Sequence, residues 1–133
     1  MPKISISEEI KRNCPKLRLG CIEASVKVEE SNAALLAEID KKLESLQQSL
    51  VIEDISKLPA IEASRKGYRA CGKDPARYRL SAEALLRRIV SGKGLYRISN
   101  VVDQLNLVSV MSGFSIGGYD AEKIAGDICF GIG

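Results

Sequence analysis

The chain has no histidine and no tryptophan, and only two phenylalanines and four tyrosines, in 133 residues. Without histidine, Ser-His and Cys-His nucleophile systems and the common zinc-binding sets cannot be assembled. The four cysteines, Cys14, Cys21, Cys71 and Cys129, are widely spaced and form no C-x-x-C pair. They read as reduced thiols of a cytoplasmic protein, acting as buried small apolar residues. Asp, Glu and Cys nowhere cluster at ligand spacing, so neither a metal nor a cofactor is expected. No run of ~18 apolar residues is present, so no membrane helix is expected. The opening MPKISISEEIKRNCPK has no apolar signal core.

The residues that are present suit one globular domain with a real core, 45% hydrophobic and 28% charged. The net charge of +3 hides a strong asymmetry. Residues 65–97 hold ten basic residues and two acids, Asp74 and Glu83, a net +8. Residues 1–64 carry −2 and residues 98–133 carry −3. Such a basic middle is either a solvated helix face or a surface that meets a polyanion. Arg77, Arg79, Arg87, Arg88, Lys93 and Arg97 are the candidates for nucleic-acid contact.

Along the chain, Ile4 to Lys16 reads as a strand and a helical turn before Pro15. Ile22, Ala24, Val26 and Val28 alternate with Glu23, Ser25 and Lys27, which predicts a half-buried strand over 19–28. Ser31 or Asn32 then caps a helix whose stripe is Leu35, Leu36, Ile39, Leu43, Leu46 and Leu50. Pro59 opens a second helix that Gly72 stops. Lys73-Asp74-Pro75 is a turn, because a residue before proline avoids helix.

Ser81 is the expected N-cap of the next helix, with Glu83 in its first turn complementing the dipole. Leu85, Leu86, Ile89 and Val90 form its buried stripe. Arg87 and Arg88 project to either side of that stripe. Gly92 and Gly94 end the helix in a basic turn. Asn100 is the expected cap of a mostly buried helix, with Asp103 reaching back to it. Asp103, Asn106 and Ser109 form a polar line on that helix, either a satisfied structural network or the wall of a pocket. Gly113 ends it, Gly117 to Asp120 turn, and Ala125 to Phe130 reads as a strand.

The elements Gly-Lys-Asp-Pro (72–75), Tyr-Arg-Leu-Ser-Ala-Glu-Ala-Leu (78–85), Asn-Val-Val-Asp (100–103) and Gly-Gly-Tyr-Asp (117–120) occur in order. Together they resemble the B3/B4 domain of the phenylalanyl-tRNA synthetase beta subunit, and more closely the free-standing proteins built on it. The resemblance covers about residues 60–130. It implies an α+β fold of layered sheet and helices, with a leading part at 1–58 and a motif-bearing part at 59–133. It also implies C-terminal strands beyond residue 133, and so an unpaired sheet edge open to self-association.

In the synthetases the domain hydrolyses tyrosine wrongly attached to the transfer RNA for phenylalanine. Its Asn-Val-Val-Asp element is followed there by a Thr-Asn pair lining the pocket, and then by a histidine. Leu105, Asn106 and Gly117 stand at those positions here, so Asn106 alone is retained. The resemblance therefore implies tRNA as partner, with Asn106, Asp103, Ser109 and Gly117 as pocket candidates. No residue is assigned a catalytic role. If the protein is an enzyme, it is an aminoacyl-tRNA deacylase with little specificity for tyrosine, and aminoacylation is not expected. The alternatives are an RNA- or DNA-binding module without chemistry and a pocket for a free amino acid.

Overall fold

In the computed structural model, which describes residues 2–133, helices form where a cap meets an apolar stripe. Ser7 accepts from Ile10 N and starts α1 (Glu8–Asn13). Asn32 accepts from Leu35 N at 2.8 Å and starts α2 (Ala33–Ser49). A 3-10 helix (Ile52–Lys57) leads into α3 (Pro59–Ala70), whose proline occupies the first helical position. α4 (Ser81–Val90) and α5 (Asn100–Ser112) follow. A 3-10 turn (Ala121–Lys123) precedes the last strand.

β1 (Ile4–Ile6) and β2 (Ile128–Phe130) form a two-stranded parallel sheet with Ile4 opposite Ile128 and Ile6 opposite Phe130. Ser7 N donates to Phe130 O at 2.9 Å and Ile128 N to Lys3 O at 2.8 Å, extending the ladder at both ends. The sheet thus ties the two ends of the described chain together. The class is α+β, with the helices far outweighing the strands.

The core lies between α3, α4, α5 and the 3-10 helix. Ile55, Ile61, Leu80, Leu86, Ile89 and Val110 are buried there, with Leu43 and Leu46 of α2 packed against them. Burying one such side chain contributes about 1.5–3 kcal/mol. Gly113 closes α5 at φ +80°, where a side chain is strained. A Cβ there would also stand 3.1 Å from Ala60 Cβ, so a larger residue would push α5 off α3.

Several expected features differ. Residues 19–28 are not a strand: Ile22, Val26 and Val28 are exposed, and the segment pairs with neither β1 nor β2. Asn100 holds the end of that segment instead. Its side chain accepts from Glu29 N at 3.0 Å and donates to Lys27 O at 3.0 Å, while its own N–H donates to Glu29 O. With Asn100 so engaged and inside the helix, Ser99 caps α5, accepting from Val102 N at 3.2 Å.

Leu80, not Ser81, precedes α4, and its side chain cannot cap. The Ala82 N–H donates to Ser115 Oγ at 3.2 Å, so the cap comes from a distant loop. α5 is buried along one face only, with Val108 and Met111 exposed. The last strand is shorter than 125–130. Among the cysteines, Cys21 and Cys129 are exposed, and Cys14 and Cys71 are half-buried with their sulfurs 3.8 Å apart. None of the four is fully buried.

Candidate functional site

α4 and the loop after it carry most of the basic candidates, but the structure sorts them into distinct groups. Arg88 is fixed in place. Its Nε donates to Gly94 O at 3.1 Å, its Nη1 to Tyr96 OH at 3.2 Å, and its guanidinium lies 4.1 Å from the Tyr96 ring centre. Gly92 and Gly94, both at positive φ, let the loop turn back sharply enough for these contacts. The Tyr96 ring stays 60% exposed. Lys73 and Arg77 flank a second exposed ring, Tyr78, at 5.0 and 5.4 Å. Exposed aromatic rings with cations on them are surfaces on which nucleobases stack. Lys93 is exposed, and Arg97 pairs with Asp40 of α2 at 3.3 Å.

Arg79 and Arg87 belong to another group, organised by a residue that sequence reasoning assigned only to the helix dipole. Glu83 has 0% exposure, and its carboxylate accepts from Arg65 Nη1 of α3 at 2.7 and 3.1 Å. Arg79 Nε and Arg87 Nη2 each stand 3.8 Å from the same carboxylate. A charge this deep is tolerable only with partners, and it fastens α4 to α3. Part of this was visible in the sequence, since Arg87 lies four residues after Glu83 on one face of α4, whereas Arg79 precedes the helix. Arg65, 18 residues away, was not.

The same loop that holds Arg88 walls a cavity of ≈ 140 Å³. Leu36, Ile39 and Leu43 of α2 form its apolar side, and Gly94 to Arg97 close another. Asp103 and Asn106 enter from α5, and Asp40 with Arg97 adds a pair of opposite charges. Asp103 is 4% exposed and doubly engaged. It accepts from Ser31 Oγ at 2.7 Å and from Ile98 N at 2.9 Å, pinning α2's leading residues and the Tyr96 loop to α5. Asn106 is half-buried, and its side-chain amide has no hydrogen-bond partner among the described residues.

The other two members of the expected line lie elsewhere. Ser109 is buried and donates to Phe114 O at 2.6 Å, securing the turn after α5. Gly117 is exposed against the Tyr119 ring and does not line the cavity. The structure therefore brings Asp103, Asn106 and Arg97 to one cavity, with Arg88 one contact away, and leaves Ser109 and Gly117 outside. Asp40 and Tyr96 were missed, because nothing in the local sequence ties α2 to the loop at 94–97. No helix among the described residues is long and apolar enough to cross a membrane.

The described residues thus form a helical α+β domain with a basic sector bordering a small cavity. The chain belongs to the B3/4 domain family, whose model matches residues 63–132. That span contains α4, the loop at 94–97, α5 and β2, hence most of the basic residues and the α5 side of the cavity. No curated protein and no solved structure matches the chain.

Proposed function

We propose that the chain is a tRNA-binding module in which the basic sector holds the RNA backbone and the cavity beside it receives the aminoacyl end. One observation carries this reading. The loop at 94–97 is both the wall of the Asn106 cavity and the segment locked onto Arg88. A strand of RNA lying on Arg88, Lys93 and Tyr96 therefore ends at the cavity mouth.

The cavity, at ≈ 140 Å³, is below the ~300 Å³ where drug-sized ligand pockets begin. It suits an amino-acid side chain and not a nucleoside. Hydrolysis of the aminoacyl ester there needs no metal. A positioned water, the neighbouring 2′-hydroxyl of the RNA and an amide donor such as Asn106 supply the elements. The decisive assay is deacylation of a panel of mischarged tRNAs, run beside tRNA binding. Binding with hydrolysis supports an editing module, and binding alone supports a carrier without chemistry. Absence of both would refute the reading.

A second reading rests on Arg97 and Asp40, whose opposite charges at the cavity match the carboxylate and ammonium of a free amino acid. Saturable binding of an amino acid in the absence of tRNA would favour it.

A further inference from the structure

The Glu83 cluster is not neutral. Three guanidiniums surround one carboxylate, and no second carboxylate among the described residues comes within ion-pair distance of Arg65, Arg79 or Arg87. The excess is +2. Only Arg65 is within hydrogen-bond length of Glu83. At 3.8 Å, Arg79 and Arg87 feel its charge but do not spend their donors on it. Arg87 Nε is buried with no hydrogen-bond partner at all. An unmet donor in a protein interior is costly and asks for an acceptor.

Position adds to the charge. Glu83 sits in the first turn of α4, so the positive end of that helix strengthens the local field. The carboxylate is fully buried, while the Arg79 and Arg87 side chains keep 49% and 28% of their surface exposed. Arg65, at 16%, is held beneath with Glu83, and Arg79 is the most open of the three, with Arg87 between them.

We propose that Arg65, Arg79 and Arg87, held by Glu83, form an oxyanion site for a phosphate group. Planar guanidiniums with unspent N–H forks match tetrahedral phosphate oxygens: a free phosphate can give each of the three its own oxygen, and a phosphodiester gives two non-bridging oxygens to share. A phosphodiester would leave the site at +1, and a phosphate dianion would bring it to neutrality. The phosphate can belong to RNA, in which case the site rests on the tRNA-binding reading above, or can be free in solution. Glu83 is here a positioning residue: it repels the anion but fixes the arginines in place.

The test uses inorganic phosphate as probe and the melting temperature as readout. Compared with chloride at equal ionic strength, phosphate should raise the midpoint. The rise should reach roughly 2–8 °C once phosphate is about tenfold above its dissociation constant. Arg79→Ala, which removes a half-exposed side chain, should remove most of that rise. Arg87→Lys should reduce it by keeping the charge and losing the fork. Lys11→Ala, which removes an exposed ammonium paired with Glu8 and not with the cluster, should leave it intact. Glu83→Gln should melt lower without phosphate and gain more from it, because the site then carries +3. Equal responses to phosphate and chloride, or a phosphate response unchanged in Arg79→Ala and Arg87→Lys, would overturn the proposal.

Competition separates the two sources. If phosphate displaces a tRNA, and Arg79→Ala weakens the tRNA as well, the site takes an RNA phosphodiester. If phosphate stabilises the protein but no tRNA binds, the site stands as one for free phosphate while the tRNA reading falls. If tRNA binds unaffected by Arg79→Ala and Arg87→Lys, the tRNA reading stands while the site falls.

Discussion

α4 and the segment at 19–28 carry apolar patterns of similar clarity, one at helical spacing and one at strand spacing. α4 buries Leu86 and Ile89 almost completely, whereas Ile22 in the segment is 94% exposed. The difference lies in the partner. α4 is met by α2, α5 and the 3-10 helix, so each apolar group finds a surface. The segment is held at its end by Asn100 and pairs with neither strand of the sheet. Periodicity states which face seeks burial, and a facing element is needed to provide it.

Mutation should separate the two regions cleanly. Leu86→Ala should cost about 2–5 kcal/mol, enough to lower the melting temperature by ten degrees or so. Ile22→Ser should stay within about 0.5 kcal/mol of wild type. Thermal melts of the two variants side by side measure the contrast. Equal losses would mean that the segment is packed against a surface after all.

The next effect concerns the polar anchors of the loop at 94–97, whose Leu95 also packs against the core. Asp103→Ala strips Ser31 and Ile98 N of their acceptor, and should cost about 1–3 kcal/mol. It should also loosen the loop, seen as faster amide exchange over residues 94–98. Unchanged exchange would show that Arg88 alone holds the loop.

The helical half was legible because its signals are local. Asn32 and Pro59 mark helix starts, and Gly113 marks a stop, through contacts within a few residues. Ser81 and Asn100 misled for one reason: each lost its capping role to tertiary structure. Ser115 caps α4 from 33 residues away, and Asn100 was recruited to hold residues 27–29. The candidate site was legible to the same degree. Asn106, Asp103 and the arginines of α4 could be named from the chain. Asp40, Tyr96 and the link from Arg65 to Glu83 join elements distant in sequence, and no local pattern encodes such meetings.

Asn106 and Asp103 are neighbours on α5 with opposite status, Asp103 engaged twice and Asn106 by no described residue. Asn106→Ala removes an amide that holds no other described residue, so the melt should move by no more than a degree or two. Binding of the aminoacyl end, or its hydrolysis, should fall about ten- to a hundred-fold. A large loss of stability with unchanged binding would make Asn106 a structural residue.

The smallest effect separates half-buried from exposed thiols. Burial first, and then the hydrogen bond and charge of Cys71, raise the Cys14 thiol above its ordinary value. Folding therefore favours the protonated thiol, and that contribution is present at neutral pH and lost as pH rises through the thiol range. Under mild alkaline alkylation Cys21 and Cys129 should react first and Cys14 last, as read by mass spectrometry of the labelled peptides. Early labelling of Cys14 would contradict its placement.

The central claim is that the basic sector between Arg77 and Lys93 engages RNA phosphates beside the Asn106 cavity. Its most direct test is the affinity for tRNA measured across a range of salt concentrations. Each neutralised phosphate contributes roughly −0.7 to −0.9 to the log–log slope, so three to five contacts predict a slope of about −2 to −5. Replacing Arg88 and Lys93 together by alanine should flatten it by about 1–2. A slope near zero, or one that the double replacement leaves unchanged, would show these charges to be a solvated surface that engages no RNA phosphate.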